Sequence, residues 1–245
     1  MTRYKAVVEY NGTGFVGWQS QPCGNTIQQI IEKSFLDIQL SKIKIFGSGR
    51  TDSGVHALGQ VFHFDYKENL DCKKVLLGLN HFLKKKNVSR LSLKTKKYKY
   101  DKRRNGKLSN FKYRILNRIA VPAILENQVW HVKKKLDFEL MKKASSLFIG
   151  THDFTTFRAS SCEATSPIRD IILSELKKNN DEITYSVKSR SFLQHQVRSM
   201  VGTIKMIGEN KWTLKDLKQA LNSKDRQKCA PPAPAHGLYL ESVEY

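Results

Sequence analysis

A chain of 245 residues, 40 % of them hydrophobic, is long enough to bury one large core or two small ones. Its formal charge of +21, from 43 Lys plus Arg against 22 Asp plus Glu, exceeds what solubility requires and points to a polyanionic partner. No apolar run approaches the ~20 residues of a membrane helix, and Met1-Thr2-Arg3-Tyr4-Lys5 leads into a strand pattern rather than a signal-peptide core, so a cytoplasmic protein is expected.

In chain order, Arg3 to Tyr10 reads as a strand ended by the turn residues Asn11-Gly12-Thr13-Gly14. Phe15-Val16-Gly17-Trp18-Gln19 taken alone reads as an aromatic hairpin arm. Asn25 or Thr26 caps a helix whose apolar residues Ile27, Ile30, Ile31, Phe35 and Ile38 recur at helical spacing and form a core stripe. Strands over Lys42 to Phe46 and Leu58 to Phe64 flank a glycine-rich loop, followed by a helix near Leu70 to Leu83 and a strand near Asn87 to Leu93. This β-α-β-β-α-β order is that of a ferredoxin-like unit.

The second half repeats the scheme with additions. A strand at Phe111 to Leu116 precedes a helix from Asp137 to Phe148 ended by Gly150. Strands near Ile168 to Leu176 and Glu182 to Val187 follow, then a helix from Phe192 to Ile207 and a short one opened by a Thr213/Asp216 capping box. Leu238 to Val243 is the closing strand. The run Ala230-Pro231-Pro232-Ala233-Pro234-Ala235 is too short to link domains and reads as a rigid approach to that strand. The expected class is α+β, with an N-terminal half over 1–95 carrying the glycine loop and a C-terminal half over 96–245 completing the site.

Cys23, Cys72, Cys162 and Cys229 are scattered and make neither a C-x-x-C pair nor a Cys/His zinc spacing, so neither a metal nor a disulfide framework is expected. The positive charge is concentrated. Lys84 to Arg118 holds fifteen basic residues and one acid, Asp101. Cations clustered in this way suit phosphate neutralisation with counterion release.

Between the two flanking strands lies Gly47-Ser48-Gly49-Arg50-Thr51-Asp52-Ser53-Gly54-Val55-His56-Ala57. Gly47, Gly49 and Gly54 allow a shaped loop that presents Arg50, Thr51 and Asp52. Gly49 to Ala57 resembles the catalytic loop G-R-T-D-[AS]-G-V-H-A of the TruA family of tRNA pseudouridine synthases. Tyr10 to Gln19 is similar to that family's Tyr-x-Gly-x-x-[FY]-x-Gly-Trp-Gln segment, and the likeness runs over nearly the whole chain. It is weakest between Leu83 and Asn110.

The resemblance implies two ferredoxin-like, RRM-like halves that join antiparallel sheets into one central sheet flanked by helices. It implies a cofactor-free isomerase acting on uridines 38, 39 and 40 of the tRNA anticodon stem-loop, as a homodimer. Asp52 becomes the catalyst, by attack on the sugar or through a glycal route; a lone carboxylate suits a nucleophile or base at an activated centre. Arg198 lies in Phe192-Leu193-Gln194-His195-Gln196-Val197-Arg198-Ser199-Met200-Val201-Gly202, similar to the family's F-[LV]-x-H-x-V-R-x-[IM]-V-G helix, whose arginine pairs with the aspartate. Such a partner favours the charged carboxylate against desolvation. Arg50 would support the RNA around an extruded nucleotide. Leu238, in Gly237-Leu238-Tyr239-Leu240, would line the uracil pocket.

Arg158 sits in Asp153-Phe154-Thr155-Thr156-Phe157-Arg158-Ala159, similar to a family loop that contacts RNA or is structural. Thr51, His56 and Arg103 are further implied RNA contacts, and His195, one turn before Arg198 on the same helix, is a packing or RNA-contact residue. One position departs from the pattern. The family's Y-x-Y pair leads into a strand Y-x-I-x-N, which only Tyr113-Arg114-Ile115-Leu116-Asn117 supplies, so the base-stacking tyrosine becomes Phe111, although Tyr98-Lys99-Tyr100 also has the Y-x-Y form. Arg103 then falls at the family's F-x-A-R arginine. The loss of that hydroxyl leaves open a second reading, an RNA-binding protein or folding helper on the same scaffold without catalysis.

Overall fold

The structure is a computed structural model that describes residues 1–22, 24–96 and 108–244, the side chains of Arg90 and Leu91 excepted. The chain forms two compact units, Met1–Lys107 with Leu240–Tyr245, and Leu108–Tyr239.

In the first unit β1 (Thr2–Tyr10) alternates strictly: Tyr4, Ala6, Val8 and Tyr10 are buried and Arg3, Lys5 and Val7 half-buried, the period-2 pattern of a sheet with one face in a core. β3 (His56–Tyr66) runs antiparallel to it with Tyr4 opposite Phe64 and Ala6 opposite Phe62. The strand order is β4 (Val88–Lys96), β1, β3, β10 (Leu238–Glu244), and β2 (Phe46–Gly47) also pairs with β3. α1 (Ile27–Asp37) opens on a capping box between Thr26 and Gln29. It places Ile27, Ile31 and Phe35 in the core, Phe35 4.8 Å from Phe64 ring to ring. α2 (Cys72–Leu83) is capped by Asp71, which accepts from the N–H groups of Lys73 and Lys74, and buries Val75, Leu79 and Leu83.

Two expected elements differ. Lys42 to Phe46 is not a full strand, and only Phe46–Gly47 pairs. Ile43 and Ile45 are buried, but the Ile45 N–H donates to the Glu32 carboxylate at 3.0 Å and its carbonyl accepts from the Gln28 amide, so α1 side chains take the bonds a strand partner would have made. Phe15 to Gln19 is a loop rather than a hairpin arm: the Val16 N–H reaches the Asn25 carbonyl and that of Trp18 the Thr51 carbonyl.

The second unit orders β5 (Leu108–Leu116), β9 (Glu182–Ser189), β8 (Ile168–Asn179) and β7 (Gly150–Asp153) as antiparallel neighbours, with β6 (Trp130–His131) parallel to β5. Tyr113, Ile115, Ile183, Tyr185 and Val187 form its buried sheet face. α3 (Phe138–Ser146), capped by Asp137, contributes Met141 and Ala144, and α4 (Gln196–Gly208) contributes Met200 and Ile204. α5 (Leu214–Ser223) opens on the expected Thr213/Asp216 capping box. α4 begins at Gln196, not Phe192, because His195 takes a left-handed conformation (φ 63°) and the preceding turn is closed by Leu193 N–H to Gln196 Oε1 at 2.9 Å. His195 is thus the residue before the helix, its carbonyl accepting the Ser199 N–H, and not a turn of the helix below Arg198. β6 and β7 have no counterpart in the sequence reading.

Candidate active site

In the first unit the loop between β2 and β3 is braced from both sides. The Thr51 carbonyl accepts the Trp18 N–H at 3.1 Å, and the Asp52 carbonyl accepts the Val55 N–H at 3.2 Å. Phe15 holds the far side, its carbonyl accepting from the Gly54 N–H and the Ser53 hydroxyl. The buried Tyr10 and Thr51 hydroxyls bond at 2.8 Å. Burial pushes the Tyr10 phenol well above its ordinary value, so it stays neutral. Gln60, fully buried, joins the loop's start to β3 by bonding the Ser48 hydroxyl and the Gly49 carbonyl.

Close approach explains the glycines that matter. A Cβ at Gly12 would lie 2.1 Å from the Val55 carbonyl oxygen, and one at Gly17, whose φ is +81°, 2.6 Å from that of Thr51. Of the three glycines in the loop itself, Gly54 has a positive φ and Gly47 packs on the Trp18 indole, whereas a Cβ on Gly49 would meet open space.

Asp52 is half-buried and Arg50 exposed. His56 is 2 % exposed, and its Nδ1 accepts the Gly12 N–H at 2.9 Å, which puts the ring proton of a neutral imidazole on Nε2. Thr51 is 7 % exposed. Both tie the loop to β1 and the turn after it, Thr51 through Tyr10 and His56 through Gly12. A carboxylate whose peptide is fixed on either side needs little reorganisation to act as nucleophile or base.

In the second unit Arg198 projects from the first turn of α4, its Nε donating to the Ala233 carbonyl at 2.8 Å while the Ala233 N–H returns to the Arg198 carbonyl at 2.9 Å. The Pro-rich run is therefore fastened along α4. Tyr113, fully buried, completes the fastening through its hydroxyl to the Pro234 carbonyl at 2.7 Å, and its ring lies where a Cβ on Gly237 would stand. Burial, then the Arg198 guanidinium, hold His236 below the ordinary imidazole value. Leu238 is 5 % exposed at the start of β10. Phe111 is half-buried on β5, edge-on to Phe192 with centroids 5.3 Å apart. Arg158 follows a short 3₁₀ turn, and the neighbouring Ala159 N–H bonds the Gln194 carbonyl, tying that loop to the turn before α4.

The structure therefore groups Arg50, Thr51, Asp52 and His56 in one unit, and Phe111, Arg158, His195, Arg198 and Leu238 in the other. Arg103, Tyr98 and Tyr100 lie outside the described residues. Among the described residues no group of three or more His, Cys, Asp or Glu is placed to hold a metal ion, and no helix is long and apolar enough to cross a membrane. The sequence reading did not single out Tyr10, Gly12, Gln60 or Ala233 as supports. Tyr10 and Gly12 lie in the segment whose likeness to the family was visible, but nothing in the string says what they touch.

A family model described as tRNA pseudouridine synthase matches residues 6–102 and 144–245. Proteins called tRNA pseudouridine synthase A are similar from end to end. That of Pelagibacter ubique is 48% identical over 248 residues, covering 100% of both chains. That of Parvibaculum lavamentivorans is 40% identical over 245 residues, again 100% of both, and that of Caulobacter vibrioides 41% identical over 100% of this chain and 99% of its own. This chain belongs to the tRNA pseudouridine synthase family, and its mixed helix and strand architecture is consistent with that fold. Members of the family are isomerases.

Proposed function

We propose that the protein converts uridine to pseudouridine at positions 38, 39 and 40 of the tRNA anticodon stem-loop, with Asp52 as the catalyst. The observation that carries this reading is the loop Gly49 to Ala57, which matches the family's catalytic string without a change and is braced through Tyr10, Trp18, Val55 and Gln60. The isomerisation breaks the N1–C1′ bond and forms C5–C1′. C5 gives up its proton and N1 gains one, so nothing is oxidised or reduced and no cofactor is called for. Asp52 either attacks C1′ or draws a proton from the sugar to reach a glycal; both need a carboxylate held in its charged form beside the ribose.

Arg198 is the charge partner of Asp52 in this reading, and Arg50 supports the RNA after the nucleotide leaves its stack. Phe111 stacks on the uracil with Leu238 as a pocket wall, while Arg158, Arg103 and His195 contact the surrounding RNA. Thr51 and His56 serve through the loop they hold. The protein works in the cytoplasm as a homodimer.

Asp52→Ala is expected to abolish tritium release from tRNA carrying 5-tritiated uridine while leaving tRNA binding within a few-fold of the parent. Turnover retained in that variant would overturn the assignment. Absence of release from the parent protein at enzyme excess would favour the binding module that Phe111 leaves open.

A further inference from the structure

The isomerisation needs an acceptor for one proton. Once C5 has bonded to C1′ it still holds its hydrogen, and that hydrogen leaves as a proton. The C5–H electron pair then becomes the C5=C6 double bond, and the N1=C6 pair withdraws to N1, which is protonated in turn. A hydroxyl on the ring that stacks against uracil would be one acceptor, and Phe111 lacks it. Asp52 is occupied at the sugar in the reading above.

The second unit sets an imidazole among the residues assigned to the base. Phe111 and Tyr113 share one face of β5, two residues and about 7 Å apart, paired with the buried Val187 and Tyr185 of β9. Against that face sits the 3₁₀ turn Ala235–Gly237, which leads into β10. Tyr113 seats the turn at both ends. Its hydroxyl donates to the Pro234 carbonyl at 2.7 Å, and its ring fills the space beside Gly237. From α4, Arg198 grips Ala233 by bonds of 2.8 and 2.9 Å, so the approach to the turn is fixed as well. His236 is the middle residue of this turn and is half-buried, and Leu238 follows two residues later. One rigid segment thus carries both the imidazole and the leucine assigned to the uracil pocket.

Among the described residues that meet at this turn, Tyr113 comes from β5 and Arg198 from α4, and neither can accept a proton near neutral pH. The Tyr113 hydroxyl is spent as a donor, and burial, which outweighs the Arg198 charge, pushes its pKa well above the ordinary 10.0. The Arg198 guanidinium is a permanent cation with no acceptor atom. Burial first, then that guanidinium, hold His236 below 6.5, so at pH 7 its imidazole is neutral and one ring nitrogen carries a lone pair.

We propose that His236 is the general base that takes the C5 proton of the uracil after the C5–C1′ bond has formed, in place of the hydroxyl that Phe111 lacks. The proposal rests on the protein being a pseudouridine synthase. The proton passes from C5 to the imidazole and on to water, and N1 takes one from water, so no oxidant or reductant enters. Loss of that proton restores the conjugated ring, which makes it acidic enough for an imidazole weaker than usual to remove.

The test is the single-turnover rate of pseudouridine formation between about pH 5 and 8, on one tRNA transcript made with either 5-protiated or 5-deuterated uridine. His236→Gln keeps a polar side chain of similar reach but cannot take the proton. It is expected to lower the rate at saturating protein by about 100-fold, the lower end of general-base contributions, with half-saturation within a few-fold of the parent. Its reaction is expected to be slower on the deuterated transcript, because breaking C5–H has become rate-limiting, and to lose the parent's fall in rate below about pH 6.5. His236→Glu, which supplies a carboxylate base, is expected to run at least ~10-fold faster than His236→Gln. A His236→Gln rate within a few-fold of the parent would sink the proposal. So would a slower rate that is the same on both transcripts, the mark of a side chain that only holds the turn. Should that variant not fold, the parent alone decides: its deuterium effect is expected to grow as acid protonates His236, and an effect constant with pH counts against the base. A parent that forms no pseudouridine at any pH removes the proposed function and this base with it, whereas an active parent beside an equally active His236→Gln removes only the base.

Discussion

At the scale of single residues, the loop string Gly49 to Ala57 could be read directly, since each residue type in it is specific. Its supports could not. Tyr10 bonds Thr51, and His56 bonds Gly12, across more than forty residues of chain, and no local pattern encodes such a meeting. The same limit applies to Phe111, which the register of Tyr113 to Asn117 placed on a strand without revealing its edge-on neighbour Phe192. The phenyl ring keeps the stacking face and lacks only the hydroxyl. Phe111→Ala should therefore lower kcat/KM by about 5- to 150-fold, the equivalent of ~1–3 kcal/mol of base stacking, while Phe111→Tyr should stay within a few-fold of the parent. Single-turnover rates on one tRNA transcript check both. A rate unaffected by Phe111→Ala would remove this ring from the base pocket.

At the scale of elements, periodicity and capping located what they govern. α1 and α5 start at their expected Thr26 and Thr213 caps, and β1 and β9 alternate as their sequences do. The errors fall where distant bonds decide. Glu32 and Gln28 draw the main chain of Ile45 toward α1, and the left-handed His195 delays α4 by four residues. β7 is four residues of Gly150-Thr151-His152-Asp153, too short and polar to show a period. The Pro-rich run reads as stiff from its composition, but its purpose emerges only from what it touches. A Cβ on Gly202 of α4 would stand 2.0 Å from the Pro231 carbonyl oxygen, so this helix and this run meet backbone to backbone. Gly202→Ala should therefore cost about 1–3 kcal/mol, as overpacking does. It should also lower kcat more than it raises KM, because the displaced run carries the Ala233 carbonyl that holds Arg198. Urea denaturation and steady-state kinetics together check this; a stability loss with unchanged kcat would separate the run from the placement of Arg198.

At the scale of the whole molecule, a net charge of +21 and a small set of paired carboxylates set the response to acid. Hydrogen bonds from Arg3 to Asp65 and from Arg114 to Glu182 hold those carboxyls below their ordinary values of 3.8 and 4.5. Glu209, despite burial that opposes it, is lowered as well by Lys205 and Lys211. A carboxyl whose pKa is lower folded than unfolded contributes its stability above the unfolded value and loses it as pH falls through the folded one. The loss therefore begins near pH 4.5 for the glutamates and 3.8 for Asp65 and continues below. The Asp65 and Glu182 pairs are partly solvent-screened, so each of these contributes no more than about 1 kcal/mol. Protonation also removes negative charge from a molecule already strongly positive, and self-repulsion adds to the loss. The urea midpoint should then begin to decline below about pH 6.5, where folded His236 resists the proton that the unfolded imidazole takes up, and fall steeply below about pH 4.5, and Glu182→Gln should show a smaller fall than the parent. Salt added at acid pH should raise the midpoint by screening the repulsion. A midpoint that holds steady down to about pH 3, or that salt lowers there, would show that neither the pairs nor the net charge governs stability in acid.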